Sequence, residues 1–434
     1  MDVVHQILDG DVSFFPGETA PHATGWLRHP EIYLGEWLET AEASLPRRHR
    51  RTILLGMGGS SSPARFYADW RLEGDLQVLD TTNPDTLSEV DFSSSQVIAS
   101  SKSGGTVETQ TLLAHALAHG LVPEDLVIIT DPGTTLAELG ESLGARVIYG
   151  DPETGGRYSS LSPFGLVPAL YAGWSVDELR EELAACALSD DLVAGALHEA
   201  DRLVDLSHDG WGVFALGADP IASGAALWLE QLVAETTGKD GRGFVPVQRG
   251  PVKVYRPSEM MHYHLVAAFL AYRLGVDPFN QPDVESTKKE VFAILQGAVE
   301  WTAQPFETGD LRGALESADH RAVQAFAPFS AGGALSELRH ELEATYGTTS
   351  ANLGPRYLHS TGQLHKGGPR SIVGLQVIQR PTSAPTRIEG RAYSFHDLHM
   401  AQAIGDYRAM RHSGRAVYQI MVDDLTEASN VLGL

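Results

Sequence analysis

At 434 residues the chain exceeds what one ordinary core organises, which predicts two α/β units and an extension. Its formal charge of −24 argues against nucleic acid and anionic membranes as partners, because both reward dense cationic patches, but it allows an anionic small molecule held by local donors. A lone cysteine, Cys186, rules out an intrachain disulfide; with no apolar run near the roughly 20 residues of a membrane span and no basic-then-apolar leader, a cytoplasmic protein is expected.

In chain order, residues 1–45 read as a helical lead-in. From Thr52 apolar runs alternate with helical stretches, giving strands at 52–56, 76–80, 96–100, 126–130 and 145–149 and helices at 106–119 and 134–143. Near-continuous apolar strands in such an alternation predict a parallel sheet covered on both faces. Helices fill 162–206, with Cys186 as a core thiol, and a boundary falls near 207. A strand at 212–220 and a helix to about Thr237 restart the same design. Helices follow at 257–274 and 282–296, then an irregular stretch at 301–330 and a helix at 331–346. From Gly347 a polar, glycine-rich segment leads to a strand (372–378), a helix (395–410) and a final strand (416–422). The expected organisation is a first unit at 1–207, a second at 208–346 and a C-terminal α/β extension at 347–434. Both units would be three-layer α/β/α with mainly parallel sheets.

Two turns stand out. TILLGMGGSSS carries Gly56, Gly58, Gly59 and Ser60 after a strand; VIASSKSGGTVET carries Ser101, Lys102, Ser103, Gly104, Gly105 and Thr106 after another. A phosphate needs several converging donors on a backbone that can come close. Glycines allow the approach, hydroxyls add donors and a following helix N-terminus adds a favourable dipole. Gly59, Ser60, Ser101, Lys102, Ser103 and Thr106 are therefore the expected phosphate ligands. The chain has only six lysines, and five of them (Lys102, Lys239, Lys288, Lys289 and Lys366) lie in segments that look functional on other grounds. An ammonium is a movable point charge and a proton carrier, which guanidinium is not.

GMGGS at 56–60, SKSGGTVET at 101–109, GGRYSSLSPFGLVPAL at 155–170, WLEQLVAETTGKDGRGFVPV at 228–247 and LGVDPFNQPDVESTKK at 274–289 occur in one order that resembles the phosphoglucose isomerase family, built on paired sugar-isomerase domains. GPRYLHSTGQLHKGGP at 354–369 resembles, more narrowly, the isomerase part of bacterial transaldolase–isomerase fusion proteins. The resemblance implies interconversion of glucose 6-phosphate and fructose 6-phosphate through an enediol, without metal or cofactor. Relatives that also take mannose 6-phosphate, or a sugar-phosphate-binding regulator, are the alternatives.

Such chemistry asks for a base in a partly dry pocket, a cation beside the developing oxyanion, and an acid–base pair that opens the sugar ring. The resemblance makes Glu235 the base, with Gln231 one helical turn before it and Glu230 as rival. Arg157 would stabilise the enediolate, Lys288 would assist ring opening and Gln281 would touch the substrate. Asp283 stands where the family usually has glycine, and Ser61, Ser62 and Pro63 replace the family's usual continuation after the first turn. For the ring-opening histidine, His262 and His264 lack the expected surroundings; His359 is preferred, with His365 second. The family supplies this histidine across a dimer interface, which implies a homodimer. His396 and His399 share a helix face, but no acidic residue joins them in a metal-ligand pattern.

Overall fold

Alternation within each strand of the first sheet assigns its two faces. Ile53, Leu55, Val97, Ala99, Leu126 and Ile128 pack to one side with Leu112, Leu113, Ala116 and Leu136 of the helices Val107–Ala118 and Thr135–Leu143. Their neighbours Leu54, Ile98, Val127 and Ile129 pack to the other with Phe66, Tyr67, Phe164 and Leu170. A strand buried on both faces in this way must be apolar throughout, as these are. The computed structural model describes residues 3–17, 23–71, 75–218, 223–248, 250, 252, 254–297 and 308–434. The end of the 212–220 strand expectation and the first part of the irregular 301–330 stretch lie outside the described residues.

The first sheet comprises β1 (Arg51–Gly56), β2 (Asp75–Leu79), β3 (Gln96–Ser100), β4 (Leu126–Thr130) and β5 (Arg146–Tyr149), in the order β2-β1-β3-β4-β5. In the second half, β6 (Trp211–Leu216) pairs with β7 (Gly243–Gln248). The strands β8 (His320–Phe326), β9 (Thr349–Leu353), β10 (Ile372–Gln379) and β11 (Val417–Val422) form a sheet of order β11-β10-β8-β9. All eight ladders between these strands are parallel. β7 lies beside β9, and Val245 and Val247 share a core with Ala322 of β8 and Ala234 of the intervening helix. The α/β architecture with mainly parallel, helix-covered sheets is thus as the sequence implies.

Three strands depart from expectation. β7, β8 and β9 were not foreseen, and β8 and β9 pair with each other (Arg321 with Thr349 through Ala325 with Leu353). Residue 347 therefore falls between two neighbouring strands of one sheet, and the segment after it supplies three of that sheet's four strands. Cys186 is fully buried, and burial pushes its thiol up to about 12, so it is an inert core group.

Candidate active site

β1 and β3 are neighbours, with Gly56 opposite Ser100, yet their onward connections lead to opposite sides of the sheet order. In open α/β sheets, ligands gather outside the carboxyl ends of strands where the order reverses in this way. Both glycine turns leave from that point. Gly58 has a φ of +54°, and a Cβ there would lie 2.5 Å from the His359 carbonyl oxygen and 2.9 Å from Gln231 Nε2. A Cβ on Gly59 would lie 2.0 Å from the Gly156 carbonyl oxygen, so the first turn presses on the turn that carries Arg157.

Glu235 lies on the helix Gly224–Thr237, which begins at Ser223, whose Oγ accepts from Ala226 N. The helix is buried along almost its whole length, and Glu235 is 5% exposed, in the last turn. Burial raises its carboxyl above the usual range, against the opposing pull first of Arg157 and then of Gln231, His359 and Lys239. Arg157 Nε sits 3.2 Å from Glu235 Oε2, and Arg157 Nη1 donates to the Glu235 carbonyl oxygen at 2.7 Å. The guanidinium thus pairs with the acid and also satisfies one of the carbonyls that a helix end leaves open. Its other contacts go to the 278–281 loop, to Pro278 O, Asn280 O and Gln281 Oε1 at 3.1, 3.1 and 3.4 Å. Gln231 Nε2 donates to Glu235 Oε2 at 3.4 Å, while Ser62 Oγ donates to Gln231 Oε1 at 2.8 Å.

His359 follows β9, in the one-turn helix Arg356–His359. Its Nε2 lies 2.8 Å from Oε1 of Glu108, which is 3% exposed at the start of the helix Val107–Ala118. Gln402 Nε2 also donates to Glu108 Oε1, at 2.6 Å. Burial alone would lower the His359 imidazole, but the charge and hydrogen bond of Glu108, and then the charge of Glu235, hold it above its ordinary value. Burial alone would likewise raise Glu108, and the imidazolium with its hydrogen bonds holds it below. The pair closes within one chain. His365 is buried against Gln324, and burial takes it down to about 3; His264 is equally low, beside Ser160. His262 pairs with Glu199, and His399 packs against Thr82 and Asn83.

Several other expected residues gather less tightly. Lys288 is exposed and pairs with Glu285 at 2.6 Å, yet its charge reaches His359 and disfavours the imidazolium. Asp283 is taken by Gln363, whose Nε2 donates to Oδ2 at 2.6 Å. In the second turn, Ser101 Oγ and Thr106 Oγ1 bond each other at 2.9 Å, and exposed Ser103 Oγ accepts from Gly105 N. Lys102 turns aside: its Nζ pairs with Asp131 Oδ2 at 2.5 Å and donates to Asp151 O at 2.6 Å. Ser60 is buried at the end of the first turn.

Glu108, Ser62 and Lys239 were missed as participants. Glu108 was within the quoted SKSGGTVET motif, and an acid in the first turn of a helix behind a glycine turn was the available signal. Lys239 is 2% exposed and donates to the Asp277 carbonyl oxygen at the root of the Arg157 loop; burial, and then the Arg157 charge, bring its ammonium down to about 6.

No family model matches the chain. Among curated relatives, the glucose-6-phosphate isomerase of Campylobacter jejuni is 29% identical over 211 residues, 44% of this chain and 50% of that protein. The glucose-6-phosphate isomerase of Rubrobacter xylanophilus is 33% identical over 256 residues, 51% of this chain and 58% of that protein. The chain thus spans about half the length of the curated relatives it matches. A solved glucose-6-phosphate isomerase from Chlamydia trachomatis superposes with a TM-score of 0.47 at 18% identity, over 68% of this chain and 78% of that one. Both of these sequence matches are to glucose-6-phosphate isomerases, over about half of each chain.

Proposed function

We propose that the chain is an aldose–ketose isomerase that interconverts glucose 6-phosphate and fructose 6-phosphate. Glu235 carries the reading: it is a carboxyl desolvated enough to be basic, held against a permanent cation, beside the two turns suited to a phosphate. Glu235 takes a proton from one sugar carbon and returns it to the next, while Arg157 stabilises the enediolate oxygen between them. The Glu108–His359 pair, with Lys288 at the mouth, opens the ring by moving a proton between the ring oxygen and the neighbouring hydroxyl. The Gly59 backbone amide and the Ser60 hydroxyl, with Ser101, Ser103 and Thr106, anchor the phosphate; Lys102 contributes charge from behind the turn. Gln231 and Gln281 touch the sugar. The role places the enzyme in glycolysis and gluconeogenesis in the cytoplasm, as a homodimer.

The test is a coupled assay that forms glucose 6-phosphate from fructose 6-phosphate. Glu235→Gln is expected to lose about 10²–10⁴-fold in turnover while calorimetry still detects fructose 6-phosphate binding. Turnover unchanged in that variant would remove Glu235 as the base.

A further inference from the structure

We propose that Asp406 positions both ring-opening arms, the His359 turn through Tyr357 and the Lys288 helix through Thr287. The inference rests on the isomerase reading only for what the two arms do; their mechanical coupling is a matter of geometry. Asp406 lies on the helix Phe395–His412 and is fully buried. Its Oδ2 accepts from the Tyr357 hydroxyl at 2.7 Å, and Tyr357 is two residues before His359 in the same short turn. Its Oδ1 accepts from Thr287 Oγ1 at 3.0 Å, and Thr287 directly precedes Lys288 in the helix Glu285–Leu295. The remaining partner is Lys366, 2% exposed at its side chain, whose Nζ pairs with Oδ1 at 2.7 Å and also donates to Gly362 O at 3.2 Å.

A buried ion pair adds little to stability against an apolar alternative of the same shape, so stability alone is a weak reason for this one. What a charged acceptor does offer is direction. Two carboxylate oxygens receive a phenol, an alcohol and an ammonium from three separate segments, and each bond has its own preferred angle. Tyr357 is further held by Gln376 Nε2, which donates to its hydroxyl at 3.2 Å. The same turn is braced on another side, where Arg356 lies 3.8 Å from Asp80, a fully buried acid beyond the end of β2. From this turn His359 reaches Glu108. Among the described residues exposed Lys288 bonds only a neighbour on its own helix, so its placement relative to His359 depends on where that helix lies. Lys366, from a third segment, completes the set of donors around the Asp406 carboxyl.

Asp406→Asn would strand the Lys366 charge and could fail to fold, so the informative variants are Tyr357→Phe and Thr287→Val. Each removes one bond to Asp406 and leaves the ion pair intact. Turnover is measured on fructose 6-phosphate and on 5-deoxyfructose 6-phosphate, which has no hydroxyl with which to close its ring. Each variant is expected to lose about tenfold to a hundredfold in kcat on the ring-closing sugar, with KM and the rate on the open analogue unchanged. Equal losses on both sugars, or none, overturn the proposal. Independently of activity, NMR titration of the His359 imidazole should move in Tyr357→Phe and not in a Tyr346→Phe control. An unmoved titration overturns the positioning even in an active enzyme. A titration that moves in Tyr357→Phe, when the wild type turns over neither sugar, retires the isomerase reading and leaves the positioning intact.

Discussion

Glu108→Gln isolates the electrostatic part of the His359 pair, because glutamine keeps the size of the side chain and an oxygen that can still accept from Gln402. What the substitution removes is the charge in a charge-assisted bond 2.8 Å long, between a 3% exposed carboxylate and a 30% exposed imidazole. Such a bond contributes about 1.5–3 kcal/mol, and one pKa unit corresponds to about 1.4 kcal/mol. The His359 titration is therefore expected about one to two units lower in the variant, where burial acts without the carboxylate to oppose it. Stability follows with a definite sign. Glu108 is held below its unfolded value of 4.5, so its contribution is present above 4.5 and fades as pH falls through the folded value. His359 is held above 6.5, so its contribution is complete below 6.5 and fades as pH rises through the folded value. The loss on Glu108→Gln is thus largest between pH 4.5 and 6.5. NMR titration of the imidazole reads the first effect, and urea denaturation across pH reads the second. An imidazole that titrates at the same pH or higher in the variant would refute the pairing.

Two further perturbations probe the supports. In Lys239→Met the pH dependence of stability should flatten: the unfolded lysine binds its proton below 10.5 but the folded one only below about 6, so wild-type stability rises with pH across that interval, by up to about 1.4 kcal/mol per unit. Urea denaturation at pH 7 and pH 9 measures the slope, and equal slopes in the two proteins would place the ammonium in solvent. Gly59→Ala should cost about 1–3 kcal/mol, because its Cβ would press into the Gly156 carbonyl, whereas Gly156→Ala meets nothing within 4 Å. Equal denaturation midpoints for the two variants would contradict the packing of the first turn on the Arg157 turn.

The first sheet was legible nearly to the residue because each of its inner strands is a short apolar run closed by glycine, serine or threonine, as in Val97–Ser100 before Ser101. β8 and β9 were not, for a physical reason. HRAVQAF carries His320, Arg321 and Gln324 into the interior, and TSANL has one apolar residue in its middle. Arg321 is satisfied nearby, by the carbonyls of Leu315 and Ala318, but Gln324 and Asn352 find their partners far away in sequence, in His365 and Glu230. A strand whose buried polar groups are paired only by tertiary contacts has no period that its own sequence can display.

The histidine was chosen by the character of its segment rather than by its place in the chain: His359 was preferred over His262 and His264, but no local pattern could show that it returns to Gly58. The return depends on β9 running parallel to β8, which delivers Leu353 and the turn after it to the carboxyl end of the second sheet. There the turn meets the carboxyl ends of β1 and β3, and Glu108 waits behind the second glycine turn. Two sheets that face each other by their carboxyl ends thus need only one chain to bring an acid from the first and a base from the second within hydrogen-bonding distance. Lys102 shows the complementary limit: local spacing placed it among phosphate ligands, but could not show that Asp131, just past the end of neighbouring β4, holds its ammonium. A motif specifies which groups are near a ligand; the neighbouring strands decide which of them are still available to it.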